Sequence, residues 1–177
     1  MVFHAESHDV TTLIVDFGSM ACDLSIHVGG VIRVTSTVDC SGDAITDLIA
    51  KKLNLTNDQA HSIKIRYGLE KSKKQAIILE AIGPELTKLV NEIRKVMRYF
   101  TDHNPSDQAI GQIIILGGGA NLPGLSGYIT DKTRIPSRLC APWNHLIFGN
   151  LQPPHELETT LYTTAGGLSL IKKKDLA

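Results

Sequence analysis

The chain of 177 residues lacks several features, and each absence excludes a class of protein. Its 18 Lys and Arg balance its 18 Asp and Glu, so no overall positive charge would attract nucleic acid or anionic lipid. No apolar run approaches the ~20 residues of a membrane span. The three cysteines, Cys22, Cys40 and Cys140, form no CxxC pair, which favours a reducing compartment over a disulfide framework. We therefore expect a cytoplasmic protein with no nucleic-acid partner and no direct membrane insertion.

What is present predicts a layered α/β domain. Hydrophobic residues make up 42% of the chain, which is enough for a core. Thr12–Phe17 is a compact β-branched run typical of a buried strand, and Ile110–Leu116 is a nearly continuous apolar run typical of a strand covered on both faces. Residues 42–100 carry apolar side chains mainly at helical spacing. This order predicts a mixed central sheet with flanking helices and a helical subdomain over 42–100.

A β-hairpin is predicted around Gly29-Gly30, because apolar and polar residues alternate on either side. A two-residue loop would pair Ile26 with Arg33. A three-residue loop would pair Val28 with Ile32 and Ile26 with Val34. The apolar match favours the three-residue loop.

Three helices are predicted to follow the hairpin. Ser41 or Asp43 caps the first, which ends near Asn54. Thr56 begins the second, and Gly68 stops it. The third contains Pro84, where we expect a bend or a restart.

A candidate phosphate site lies in Asp16–Asp23, a strand, a glycine-containing turn and a second strand. Gly18 would let backbone N–H groups approach phosphate oxygens, and Asp16 could hold a magnesium ion through water. The same residues also describe a plain hairpin turn, with Gly18 supplying an unusual φ. The local residues alone favour the plain turn.

A second candidate site is the glycine run Gly117–Gly119, placed between a buried strand and a helix. Three glycines permit a close backbone approach to an adenine or a ribose. A dinucleotide fingerprint fails because Leu122 stands at its third glycine, and a P-loop fails because Leu125 stands at its lysine. A binding loop and a plain strand-to-helix connection both remain open.

The order of these motifs resembles the C-terminal half of PilM-type proteins, the actin-like ATPases of type IV pilus assembly, which are also similar to FtsA. The matching stretches are Leu13–Leu24, Gly42–Ala50, Ala60–Gly68, Ile113–Leu125 and Thr164–Leu170. In order, they resemble the family's second phosphate motif, the helix after it, the nucleotide-side helix, the adenosine motif and the second connecting motif. The resemblance implies an actin-like ATPase lobe with a ribonuclease H-like fold over residues 12–171, with flexible ends at 1–11 and 172–177.

The resemblance also implies a site for ATP and Mg²⁺. Asp16 would face the magnesium through water, Gly18 and Ser19 would lie at the β- and γ-phosphates, and Lys64 would reach the ribose or adenine side. Gly117, Gly118 and Gly119 would form the adenosine wall. The chain departs from the family at three positions of this site: Cys22 replaces a threonine, His61 a glutamate, and Asn121 a long basic residue. We expect these departures to reduce the affinity for nucleotide.

The family's first phosphate motif is absent, and the residues before Thr12 are too few to form a lobe. We therefore expect an isolated second lobe or a fragment that binds ATP weakly and hydrolyses little or none. The resemblance implies PilN-like inner-membrane pilus proteins and other pilus machinery as partners, a peripheral location at that membrane through them, and self-association. The alternatives are an FtsA-like filament protein and the C-terminal lobe of a sugar- or acyl-kinase relative.

Overall fold

A five-stranded mixed sheet forms the centre of the fold. The computed structural model of the chain describes residues 10–104, 108–141, 143, 147–152, 155 and 160–169. The strands are β1 (Thr12–Phe17), β2 (Cys22–Val28), β3 (Val31–Val38), β4 (Gln112–Leu116) and β5 (Ser137–Leu139). Their order across the sheet is β3-β2-β1-β4-β5. The first three pair antiparallel, whereas β1–β4 and β4–β5 are parallel pairs.

The β2–β3 hairpin has a different loop from the predicted one. Val28 pairs with Val31, so the loop contains two residues, Gly29 and Gly30, and the predicted three-residue loop is wrong. Both glycines have positive φ, which suits the tight turn of a two-residue hairpin. Ile26 nevertheless pairs with Val34 as predicted, because a β-bulge at Arg33 inserts one extra residue into β3.

Five α-helices accompany the sheet in the described part of the chain. They are α1 (Gly42–Leu53), α2 (Asn57–Tyr67), α3 (Gln75–His103), α4 (Leu125–Thr133) and α5 (Thr163–Ser169). Of the two predicted caps for α1, Ser41 is the one used, since its hydroxyl accepts from the Ala44 N–H. Thr56 forms the predicted capping box of α2 with Gln59, and Gly68 ends that helix.

The third helix passes through Pro84 without interruption, so the predicted restart is wrong. Proline removes one intrahelical donor but does not end α3. Ile82 and Leu86 on either side of it are fully buried, as are Leu89 and Ile93 further along. The continuous apolar stripe holds the helix together across the proline, because its packing spans the defect.

One hydrophobic core joins the sheet to the helices. Leu13 and Val15 of β1, Ile113 of β4, Ile49 of α1 and Ile82 of α3 belong to the same cluster of buried side chains. Helices α1, α2 and α3 follow one another between residues 42 and 103, and each contributes buried apolar side chains to this core. Helix α3 packs on β2 and β3 and also contacts α1 and α4. Within the described ranges, no helix has both the length and the apolar character of a membrane span.

Candidate functional site

The two predicted glycine turns lie next to each other at the carboxyl ends of β1 and β4. Strands β1 and β4 are parallel neighbours, with Asp16 paired to Leu116, so the segments that follow them emerge side by side. A Cβ placed on Gly117 would lie 2.6 Å from Asp16 Oδ1, which shows how closely the two segments approach. Ligands of open α/β sheets bind at the carboxyl ends of such strands.

The Gly18 turn is attached to the start of α1. The Gly18 N–H donates to Ala21 O at 3.0 Å, which closes the turn. The N–H of Gly42 donates to Gly18 O at 3.0 Å, and the N–H of Asp43 donates to Ser19 O at 3.1 Å. Two of the N–H groups that a helix start leaves free for an anion are therefore used to hold the turn in place.

Asp16 lies at the end of β1 on the face of the sheet opposite Leu13 and Val15. Its side chain is partly exposed, and Asp16 pairs across the strands with Asp23. Partial burial and the nearby Asp23 carboxylate both raise the pKa of Asp16 above its ordinary value. A cation at this edge would relieve that repulsion, so the electrostatics suit the predicted magnesium-facing role.

Cys22 does not fit its predicted place at the phosphates. The side chain is fully buried, and its pKa is raised, first by burial and then by the neighbouring Cys40. Cys22 lies on the core face of β2 with Leu24 and Ile26, and Val38 pairs with it on β3. It is a packed core side chain that no ligand reaches in this conformation.

The three glycines of the second turn differ in what surrounds them. Gly117 has a φ of +86°, and its added Cβ would also lie 2.6 Å from Phe17 O. An added Cβ on Gly119 would lie 2.7 Å from the Phe17 ring. The fold itself therefore requires these two glycines. Gly118 is exposed, and its added Cβ would meet only the end of the Leu161 side chain, at 3.0 Å.

Lys64 is nearly buried between α2 and the first turn of α1. Its Nζ donates to Gly42 O at 2.9 Å and to Thr46 Oγ1 at 2.8 Å. Burial lowers the pKa of Lys64, and the Asp43 carboxylate partly opposes this shift. Since a lysine ammonium has three donors, one N–H remains beyond these two bonds. The side chain thus joins α2 to the residue that holds the Gly18 turn.

A cavity of about 190 Å³ opens beside these elements. Its lining residues are Phe17, Gly42, Ile45, His61, Lys64, Ile65, Gly118, Gly119, Asn121, Leu122 and Leu161. Of the predicted site residues, Lys64, Gly118, Gly119 and Asn121 meet in it. Four other predicted residues lie beside the cavity, at the ends of β1 and β4, and do not line it: Asp16, Gly18, Ser19 and Gly117.

Leu161 was not predicted as a site residue, because it lies far along the sequence from the other residues that line the cavity. The Gly117 N–H donates to Thr160 O at 3.3 Å, and Thr160 Oγ1 donates to Asn121 Oδ1 at 2.9 Å. These bonds place Leu161 over Gly118. Ile65 was also missed, although it follows Lys64 on the helix that the family resemblance predicts to lie on the nucleotide side.

Solved structures with the same fold include assemblies and nucleotide complexes. The PilM–PilN type IV pilus biogenesis complex matches with a TM-score of 0.77 and 26% identity, over 94% of this chain and 47% of that one. MreB5 of Spiroplasma citri bound to AMPPNP matches with a TM-score of 0.72 and 18% identity, over 94% of this chain and 54% of that one. The predicted class, an actin-like ATPase lobe with a mixed sheet and flanking helices, is confirmed.

Sequence comparisons give a curated relative and a matching family model. The cell division protein FtsA of Escherichia coli strain K12 is 22% identical over 168 residues, which cover 81% of this chain and 40% of FtsA. The chain thus spans less than half the length of this relative and of the PilM chain above. The family model of the type IV pilus assembly protein PilM matches residues 2–173. This match covers nearly the whole sequence, and the chain therefore belongs to the PilM family.

Proposed function

We propose that the chain is the ATP-binding scaffold lobe of a PilM-type protein and binds Mg²⁺-ATP at the carboxyl edge of β1 and β4. The observation that carries this proposal is the parallel pairing of those strands, which brings Asp16 and the Gly18 turn next to the Gly117–Gly119 run. MreB5, which shares the fold, has been solved with AMPPNP, and this supports a nucleotide as the ligand.

The residues present fit a nucleotide in two parts. The cavity offers apolar side chains and the open backbone of Gly118 to a base, with Lys64 and His61 as nearby polar groups. The adjoining Gly18 turn would face the phosphates, with Ser19 exposed at its tip. When bound, magnesium would neutralise phosphate charge. Asp16 would hold it through water, the mode in which Mg²⁺ commonly meets one or two carboxylates.

The cavity is too small to enclose a whole nucleotide. Ligand pockets commonly measure about 300–1,000 Å³, whereas this one measures about 190 Å³. A second lobe, matching the other half of the PilM chain, would complete the enclosure and supply further phosphate contacts. The chain alone should therefore bind ATP weakly and hydrolyse little or none of it.

The partner we propose is a PilN-like inner-membrane pilus protein. The support is the solved PilM–PilN complex, whose PilM chain shares this fold at 26% identity. Through such a partner the protein would lie in the cytoplasm against the inner membrane. Co-purification of the chain with the cytoplasmic segment of a PilN-like protein would support this role, and failure to co-purify would count against it.

The kinase alternative has less support. A kinase relative would need a carboxylate aimed at a substrate hydroxyl. The cavity lining contains no acidic side chain in the part of the chain that the structure describes. The FtsA-like alternative is supported by 22% identity over 81% of this chain, whereas the PilM family model matches residues 2–173.

Calorimetric titration of the chain with Mg²⁺-ATP tests the proposal. We expect weak binding that Asp16→Ala reduces at least about tenfold, because a charged contact to the metal is lost. Asp102→Ala, which removes an exposed aspartate from the last turn of α3, is the matched control and should bind as the wild type does. No binding at millimolar ATP, or equal affinity in both variants, would contradict the proposed site.

A further inference from the structure

In the described part of the chain, the sheet has one long edge strand. Strand β3 forms this edge over eight residues, whereas β5 at the other edge has three. An edge strand presents unpaired N–H and C=O groups that suit another extended chain. Proteins often protect such an edge with lysine, proline or a bulge. Within the described residues, β3 has a bulge at Arg33, and residues 34–38 pair regularly with β2.

The sequence of this regular segment is the same in both directions. Residues 34–38 are Val-Thr-Ser-Thr-Val. Two copies related by a two-fold axis would place Ser36 opposite Ser36, Val34 opposite Val38, and Thr35 opposite Thr37. Directly opposed residues of an antiparallel pair share a face, and Thr–Thr pairs and pairs of β-branched side chains are favourable there. The segment is therefore complementary to itself.

The two faces of β3 agree with such a pair. Val34, Ser36 and Val38 are half-buried on the side of α3, and Ser36 Oγ donates to Glu92 Oε1 at 2.7 Å. Thr35 and Thr37 are exposed on the opposite face. In a two-fold pair, half-buried side chains would meet half-buried ones, and exposed threonines would meet exposed threonines.

The charges beside the strand also suit a second copy. Glu92 forms an ion pair with Lys95 at 3.2 Å, and the Lys95 side chain is well exposed. Two-fold pairing at Ser36 would bring one such acidic and basic pair from each copy to either side of the axis. Each copy would therefore present both signs of charge, so that Lys95 of one could face Glu92 of the other.

We propose that two copies of the chain associate through antiparallel pairing of residues 34–38, which joins their two sheets into one. A two-fold dimer is the commonest form of self-association, and this strand provides a self-complementary patch for it. The contact is short, so the dimer is weak and concentration-dependent. It does not depend on nucleotide binding.

Mixed cysteine cross-linking tests the register. Thr35→Cys and Thr37→Cys chains, oxidised together at high concentration, should give a disulfide dimer several-fold faster than either variant alone, because residue 35 lies opposite residue 37. Wild type reports any reaction of the three buried native cysteines. Equal yields from the mixture and from either single variant, or no dimer in any sample, would overturn the proposed pairing.

A charge on the edge provides the second test. Thr35→Lys places two like charges near the axis, and it should raise the dimer dissociation constant at least tenfold in sedimentation equilibrium. Thr101→Lys on the exposed side of α3 is the matched control and should dimerise like wild type. Circular dichroism checks that both variants fold. A chain that stays monomeric at millimolar concentration, or a dimer unaffected by Thr35→Lys, would refute the proposal.

Discussion

The two turns at the carboxyl ends of β1 and β4 lie side by side, but different interactions hold them in place. The Gly117–Gly119 run is held by close contact, because Phe17 and Asp16 leave no room for a side chain on two of its glycines. The Gly18 turn is held by hydrogen bonds from the first residues of α1, and Lys64 binds the same helix start. A glycine run at the carboxyl ends of parallel strands can therefore reflect packing as much as ligand binding.

The largest expected loss of stability is in the Gly117–Gly119 turn, which close contacts hold in place. Gly119→Ala would force its Cβ against the buried Phe17 ring, and we expect a loss of about 2–4 kcal/mol in the free energy of unfolding. Gly118→Ala makes the same change one residue earlier, where only the end of Leu161 must move. It should cost less than about 1 kcal/mol.

Urea denaturation of the two variants provides the measurement. If Gly118→Ala were as destabilising as Gly119→Ala, close packing would hold both positions, and the difference drawn between the two glycines would be wrong. If Gly118→Ala kept its stability but lost affinity for Mg²⁺-ATP in the calorimetric titration, the two glycines would have separate roles. Gly118 would then be the glycine that a ligand requires.

The strands and helices were predictable from the sequence because their signals are local. Helix caps such as Thr56 and Ser41, and apolar runs such as Ile110–Leu116, depend on neighbouring residues. The hairpin loop was not predictable, because apolar matching fixes the Ile26–Val34 pair but cannot tell a longer loop from a bulge at Arg33. Matching side chains therefore located the register but not the place of the extra residue.

The candidate site was predictable in its two turns and less so in its side chains. The spacing of Cys22 itself indicates a packed side chain, since it is in phase with Leu24 and Ile26 on one face of β2. Leu161 had no such signal. Its position depends on the chain returning through Thr160 to Gly117, more than 40 residues earlier in the sequence.

An intermediate effect is expected at the turn that hydrogen bonds hold. Lys64→Met removes the two bonds to Gly42 O and Thr46 Oγ1, although these groups keep a bond to each other at 3.0 Å. The loss of charged hydrogen bonds is partly offset by relief of a buried charge, so we expect about 1–2 kcal/mol of destabilisation. The amides of Gly42 and Asp43 should exchange faster with deuterium, because the start of α1 is less firmly held.

Lys51→Met, an exposed lysine on α1, is the control for this experiment and should leave both the stability and the exchange of those amides unchanged. Faster exchange throughout α1 and β1 would mean that Lys64 supports the whole core and not the turn in particular. Unchanged exchange at Gly42 and Asp43 would show that their bonds to Gly18 O and Ser19 O suffice without the lysine.

The smallest effect is expected at Asp16, where the two turns meet. Its raised pKa means that the folded chain binds the Asp16 proton more tightly than the unfolded chain does. This group therefore favours folding most at low pH, and its contribution falls as pH rises from the ordinary aspartate value of about 3.9 through the raised one.

Asp16→Asn removes the ionised carboxylate beside Asp23. Without ligand, the variant should match or slightly exceed the wild-type melting temperature at pH 7, and this advantage should vanish below about pH 4. A lower melting temperature at pH 7 would show that Asp16 stabilises the fold, and its electrostatic strain could no longer be taken as support for a cation site.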